Sequence, residues 1–316
     1  MQHRATRCSC SHTEVNIMTG AAYTKQDFAL SNNPQVAPEV VEAAVKLQYK
    51  KNLIGRNLLG FQSIPVSTVS TNEEGDTVGD ITWLSESGGL PKLDFTFVRG
   101  TKKVRPYGGY FEVSTEQAQD GYEDEVRTMA KNLSYAMSYF EDLTVWDDVT
   151  TAAGIGAIDA KNPWDVNAGS SAGDPLYDVQ KAIRTVSTAT KGQKPDTIVM
   201  SELTFGYLSA FDVIKNRLYN TQGKDGYVVT GEVPTLLGRR VVLDDAVDPS
   251  DVGQLVVMKA KDIGTWQERF PIVTETIKGS LLGKDNVAYK LTAQAKGEPN
   301  IKFPKLGCVV SGLYTT

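Results

Sequence analysis

Two kinds of side-chain constellation in this chain have the composition for chemistry. Cys8 and Cys10 stand between His3 and His12, a set of thiolate and imidazole donors of the kind that holds a metal ion. The Cys-x-Cys step is tighter than usual zinc-knuckle spacing, and the segment has no apolar partner to fold on, so a flexible tail is the favoured reading. Paired carboxylates occur at Glu73-Glu74, Asp147-Asp148 and Asp244-Asp245. Acid–base catalysis needs two carboxyls in environments that split their pKa values. Neighbours at turn positions are instead read as solvated turn residues, a setting that Asp favours.

The histidine count removes more. His3 and His12 are the only histidines, so residues 13–316 contain none. Imidazole is the commonest general acid and base, and Ser-His-Asp, Cys-His and histidine-metal chemistry are closed to the body of the chain. No glycine-rich stretch ends in the Gly-Lys-Ser/Thr that positions a phosphate-binding lysine, and Gly154-Ile155-Gly156 reads as a turn. Neither a catalytic residue nor a cofactor site is expected. A basic patch, Lys102, Lys103 and Arg105, has two readings. It is a solvated strand edge where lysine discourages aggregation, or an ionic contact to an acidic patch on a neighbour. The acidic residues from Glu123 to Glu125 tilt the choice to the second.

Composition agrees with a folded, non-catalytic chain. It has 316 residues, 41% of them hydrophobic, and a formal net charge of -5. That balance argues against a protein whose main task is gripping nucleic acid, though not against one that encloses it. No apolar run approaches the roughly 20 residues that span a bilayer, so no membrane is expected. With no secretory signal and three cysteines in no framework spacing, synthesis in a reducing cytoplasm is expected. Met18 is a second candidate start after Met1.

The elements that would position these residues read as follows. Residues 34–52 carry a helical pattern, and residues 61–113 are strand-rich. Strand candidates run from Ile64 to Ser70, Asp80 to Leu84 and Lys92 to Val98, with a turn at Asn72-Glu73-Glu74-Gly75-Asp76. This arm carries Trp83, Leu90, Phe95 and Phe97, which need a surface to lie on, either a neighbouring subunit or the arm's own core. A long helix follows. Its seam, Tyr122, Val126, Met129, Leu133, Ala136, Phe140 and Leu143, recurs at steps of four and three, which puts these side chains on one face. Ser114 with Gln117, and Asp120 with Glu123, both match the capping-box spacing for its start. Residues 147–173 read as a loop. An α/β region comes next. Asp174 caps a helix carrying Leu176, Val179, Ile183 and Val186; a buried-type strand Thr197–Met200 leads to Ser201, which caps a helix with Phe205, Leu208 and Phe211. Antiparallel strands are expected over 265–278, 286–296 and 305–313.

This order of elements resembles the major capsid protein of tailed bacterial and archaeal viruses, whose HK-ninety-seven-type shell fold is shared with encapsulins. The resemblance covers residues 34–314. It is carried by Lys194-Pro195-Asp196-Thr197-Ile198-Val199-Met200-Ser201, by Pro234-Thr235-Leu236-Leu237-Gly238-Arg239-Arg240-Val241-Val242, and by the helix between Gln35 and Leu59. It implies an α+β fold divided into an N-terminal arm with a short helix (1–58), an extended β-loop (59–103), a peripheral domain with a spine helix (104–151), an axial α/β domain (152–258) and strands returning to the peripheral domain (259–316). It also implies a structural protein of the virion, assembled in the host cytoplasm as hexamers and pentamers of itself into an icosahedral shell. Such a shell encloses double-stranded DNA without reading its sequence. Any scaffold, portal or decoration protein would be a separate partner, since the N-terminal segment is too short for a scaffolding coiled coil. The family's lysine–asparagine cross-link is not carried over: Lys92, Lys102 and Lys103 lie near the arm, but no motif identifies an asparagine and carboxylate partner. An encapsulin-like compartment and a soluble α/β enzyme are the alternatives.

Overall fold

The computed structural model describes residues 45–46, 48–49, 53–78, 94–114, 123–165, 173–211, 214, 235–249, 253–278 and 288–314, with the backbone alone at 71–78, 94–98, 123–124, 276–278 and 288–289. In chain order the elements are α1 (Gly55–Leu58), β1 (Gly60–Ser63), β2 (Thr68–Val78), β3 (Asp94–Lys103), β4 (Pro106–Ser114), α2 (Glu123–Thr151) and β5 (Gly156–Asp159). After these come α3 (Pro175–Ala189), β6 (Thr197–Met200), α4 (Glu202–Ala210), β7 (Arg240–Leu243), β8 (Leu255–Met258), β9 (Gly264–Lys278), β10 (Ala288–Ile301) and β11 (Gly307–Ser311).

The strands form three sheets. A four-stranded sheet runs β1-β9-β10-β4, a five-stranded sheet β5-β11-β8-β6-β7, and β2 pairs with β3 alone. Both faces of the five-stranded sheet are covered, which is why β6 and β8 are buried at every position and apolar at all but Thr197. Alternation sends Ile198, Met200, Leu255 and Val257 toward α3 and α4, where Val179, Ala182, Val186, Phe205 and Leu208 meet them. Val199, Val256 and Met258 point the other way, onto Val145, Trp146 and Val149 of α2. The front half of α2 packs elsewhere. Its Val126, Ala130 and Met137 share a core with Val113 of β4, Leu291, Ala293 and Ala295 of β10, and Val45 and Tyr49. One helix of 29 residues, about 43 Å at 1.5 Å per residue, therefore joins the two large sheets.

Local signals explain the element ends. The Asp174 carboxylate accepts the Tyr177 N–H at 3.1 Å with Pro175 at the first helical position, and Ser201 Oγ accepts the Thr204 N–H at 3.2 Å. Leu237 and Gly238 hold φ of 52° and 73° in a tight turn, closed by Leu236 and Arg239 exchanging both backbone hydrogen bonds, which aims β7 at β6.

Four expectations change. The helix does not give way to a loop at residue 147 but continues to Thr151, so Asp147 and Asp148 are helical rather than turn residues; buried Val145, Trp146 and Val149 extend its stripe. The seam also rotates. Val126 is buried and Met129 and Leu133 are half-buried, but Ala136 and Phe140 are exposed, because Ser134, Met137, Ser138, Glu141 and Asp142 take the inner face. Asn72–Gly75 is strand, not turn: β2 runs through it, with an irregularity in pairing between Glu74 and Thr77. The final strand, β11, joins the five-stranded sheet between β5 and β8 rather than returning with β9 and β10. Tyr122, Trp83, Leu90, the strand candidate Asp80 to Leu84 and the capping residues Gln117 and Asp120 lie outside the described residues.

The join between the sheets is tight at one point. Trp266 of β9 is 1% exposed, and a Cβ placed on Gly297 of β10 would lie 2.5 Å from its ring. Gly297→Ala is expected to destabilise the subunit by about 1–3 kcal/mol through overpacking, measured as a lower urea midpoint; an unchanged midpoint would show that the ring can move aside.

Candidate assembly surface

The β2–β3 ribbon is built from strands of 11 and 10 residues that, among the described residues, pair only with each other. Phe95 stands opposite Thr77 and Phe97 opposite Glu74, two residues apart on β3 and so on one face of the ribbon. The ribbon's root is fastened. Val104 is buried and its N–H donates to Ser67 O at 2.8 Å; Lys296 Nζ reaches Ser67 Oγ at 3.0 Å. Lys102 Nζ donates to Asp148 of α2 and to Pro299 O at 3.0 Å, with Glu298 at 3.8 Å. The Arg105 guanidinium bonds Glu298 at 3.2 Å.

This corrects one reading of the basic patch. Lys102 and Arg105 face carboxylates of their own subunit, because the ribbon's return passes beside the end of α2 and the bend of β10. Lys103 alone of the three is exposed without an ion pair among the described residues. A second exposed surface was not anticipated. On the outward face of the four-stranded sheet, Tyr110, Phe270 and Val273 are 59%, 51% and 56% exposed. The alternation of β4 and β9 carries the signal for two of the three: Tyr107, Phe111 and Ile272 turn in, so Tyr110 and Val273 turn out, whereas Phe270, in step with Ile272, is turned out by the irregular pairing of β9 with β10 between Gln294 and Lys296.

Beneath this surface is a buried polar anchor that also escaped the sequence reading. Glu141 and Asp142 on α2 face the segment before β1. Asp142 accepts the N–H groups of Gly55 at 2.8 Å and Ile54 at 3.3 Å. The Tyr49 hydroxyl donates to Glu141 Oε1; Glu141 Oε2 has no hydrogen bond and lies 3.8 Å from the Arg56 guanidinium. Arg56 pairs with Glu268 of β9 and stacks near Phe61 and Trp266, with 5.2 and 5.6 Å to the ring centroids. Ser134 Oγ donates to Val45 O at 3.1 Å. Asp244, a turn residue by sequence, is buried, taking Trp146 Nε1–H at 2.6 Å and the Ala246 N–H at 3.0 Å. The spacing of Ala130, Ser134, Met137, Glu141 and Val145, in steps of four and three, marks the true stripe, but a search for apolar residues passes over its polar members.

Burial pushes the Glu141 carboxyl up to about 8, against the pull of the Tyr49 hydroxyl and Arg56. It pushes Asp142 up to about 7, with the Asp244 charge adding to the rise. Burial raises Asp244 as well. These carboxyls bind protons more readily folded than unfolded, where 4.5 and 3.8 are ordinary for Glu and Asp. Their contribution is therefore fully present below those ordinary values and is lost as pH rises through the folded ones. The urea midpoint is expected to fall between pH 5 and pH 8, and Glu141→Gln is expected to flatten that fall. An equally steep fall in the variant would place its origin elsewhere.

Residues 99–295 match the phage capsid protein family. No curated protein matches the chain. Among solved structures, the capsid of the cyanophage P-SCSP1u aligns at 11% identity over 83% of this chain and 89% of that one, with a TM-score of 0.61. The virus-like particle of Pyrococcus furiosus aligns at 12% identity over 86% and 98%, TM-score 0.59. A native GTA particle capsid aligns at 14% over 84% and 91%, TM-score 0.58. At these identities the likeness establishes the fold, the HK-ninety-seven type of capsid subunits. With nearly two hundred contiguous residues, from β3 to β10, matched to one family, the chain belongs to the phage capsid proteins and is a structural subunit of a capsid shell.

Proposed function

We propose that this subunit builds an icosahedral shell from hexamers and pentamers of itself and encloses double-stranded DNA. The ribbon carries the reading: among the described residues its two long strands pair with nothing but each other, and Phe95 and Phe97 share a face. An isolated two-stranded ribbon is marginal in water and gains stability when a second surface covers its apolar side. A neighbouring subunit supplies that surface, covering Phe95 and Phe97 together with Trp83 and Leu90, while Lys103 lies at the rim. Each buried Phe contributes about 1.5–3 kcal/mol, and a contact repeated around a closed shell needs only modest strength. Tyr110, Phe270 and Val273 offer further apolar surface for a neighbour.

Residues 1–58 serve as the N-terminal arm and 59–103 as the extended loop. The peripheral part takes 104–151 with the strands β9 and β10, and the axial part takes 152–258 with β11. The buried carboxyls do structural work: the Glu141 side chain has no exposed surface, so substrate has no route to it and no catalytic activity is assigned. The shell takes up DNA without reading its sequence, forms in the host cytoplasm without a membrane, and receives any scaffold, portal or decoration protein from outside the chain. A compartment holding a protein cargo is the competing use of the same fold, and particle contents separate the two.

The test is assembly of the full chain beside a variant lacking residues 76–98. Sedimentation velocity is expected to show particles for the full chain and a loss of at least tenfold in particle yield for the variant, with the released subunit still folded. Nuclease-protected DNA is expected inside particles recovered from infected cells. An unchanged oligomeric state in the variant would overturn the role of the ribbon, and particles filled with protein instead of DNA would overturn the role of the shell.

A further inference from the structure

The five-stranded sheet has two ends of opposite charge. At one end β6 begins at Thr197, β8 finishes at Met258 and β11 begins at Gly307. The connections there enclose a cleft of about 630 Å³ whose lining includes Lys191, Lys261, Lys302 and Lys305 against one acid, Asp262. Asp262 is already paired with Lys259 at 2.7 Å. Lys191 and Lys261 hold φ of 52° and 64°, the left-handed region where glycine is the residue of least strain. What sets both positions apart from glycine is a long cationic side chain.

At the other end β6 finishes at Met200, β7 at Leu243, and β8 begins at Leu255. Glu202 and Asp245 line a groove there beside Tyr139, Leu203 and Tyr207, and none of the described residues lining it is a cation. Glu202 and Asp245 are both exposed, and the Asp245 carboxylate accepts the Glu202 N–H at 2.8 Å, which fixes the two acids side by side. Leu203 and Tyr139 are 44% and 47% exposed, so the ridge has an apolar flank. The strands between the ends are four residues long, so the two charged surfaces stand about 13 Å apart along them.

We propose that the lysine cleft of one copy docks the Glu202–Asp245 ridge of the next, head to tail, around a ring of α/β sheets. The proposal rests on the capsid reading and adds to it the contact that closes the ring. Contacts between unlike patches close rings, and here either patch meeting itself would set like charge on like. The cleft also has an apolar wall, Phe303 and Leu306, suited to the flank of the ridge. A second copy is favoured over nucleic acid because the matching surface, charged and apolar together, is present on the same sheet.

Assembly of the full chain, followed by light scattering and sedimentation velocity, tests this with a charge swap. Lys261→Glu/Lys302→Glu makes both ends acidic, and Glu202→Lys/Asp245→Lys makes both ends basic. Each variant alone is expected to assemble at least about tenfold more slowly than wild type, the lower range of electrostatic steering. An equimolar mixture is expected to recover assembly in part, because alternating subunits restore every unlike contact in a ring of six and all but one in a ring of five. Neutral Lys261→Gln/Lys302→Gln subunits are expected to lose most of the wild-type dependence of rate on NaCl, a readout that stands even where a reversal variant fails to fold. Wild-type rates for the reversal variants, no recovery on mixing of two folded variants, or an unchanged salt dependence would overturn the proposal. So would normal shells from Lys261→Glu/Lys302→Glu that hold less nuclease-protected DNA, since the cleft would then serve nucleic acid. If wild type itself formed no particles, the capsid reading would fail and this contact with it.

Discussion

Two carboxyl groups on the inner face of one helix constrain the rest of this subunit. Removing a carboxyl group from water is costly unless hydrogen bonds and counter-charges replace the solvent, and here burial outweighs that replacement enough to favour the protonated form of both. For Asp142 the replacement is the pair of N–H groups at Ile54 and Gly55; for Glu141 it is the Tyr49 hydroxyl and the nearby Arg56. None of these donors belongs to the helix or to a sheet. They come from the segment before β1, so α2 reaches its low-energy packing only when that segment is in place. Arg56 then extends the constraint to β9 through Glu268 and the Trp266 ring.

The consequence for a shell subunit is stiffness in one part and freedom in another. The 29-residue helix packs its first half on the four-stranded sheet and its second half on the five-stranded sheet. Among the described residues the ribbon is fastened to this frame at its root, through Val104, Lys102, Arg105 and Ser67. The proposed shell of hexamers and pentamers would use such a division, because its subunits would occupy positions that differ in local curvature. In that proposal a rigid frame would preserve the repeated contacts, and an extended ribbon fastened at one end would adapt.

Much of this was legible in the sequence, and the failures share a cause. The caps at Asp174 and Ser201, the buried strand Thr197–Met200 and the helix faces through Val179 and Leu208 followed from propensity and periodicity, because local chemistry decides them. The ribbon was legible as an arm, but β2 runs through Asn72–Gly75, where polar residues were read as a turn and cross-strand pairing overrides local preference. The helix seam failed at Ala136 and Phe140, though Leu143 packs inward, because the inner face becomes polar there, and the distant partners Tyr49, Ile54 and Gly55 make that tolerable. Lys102 and Arg105 were assigned to a neighbour because Glu298, far along the chain, gave no local sign that it would lie beside them. The exit of β11 into the five-stranded sheet is likewise a matter of long-range pairing, invisible to any window of residues.

The most direct test of a rigid frame carrying an adaptable ribbon is a cryo-electron microscopy reconstruction of shells assembled from the full chain. The two large sheets and α2 are expected to superpose among all symmetry-distinct subunits, with differences concentrated beyond the root at Lys103 and with Phe95 and Phe97 covered by another copy. A ribbon folded back on its own subunit, or a helix that bends from one position to the next, would contradict it.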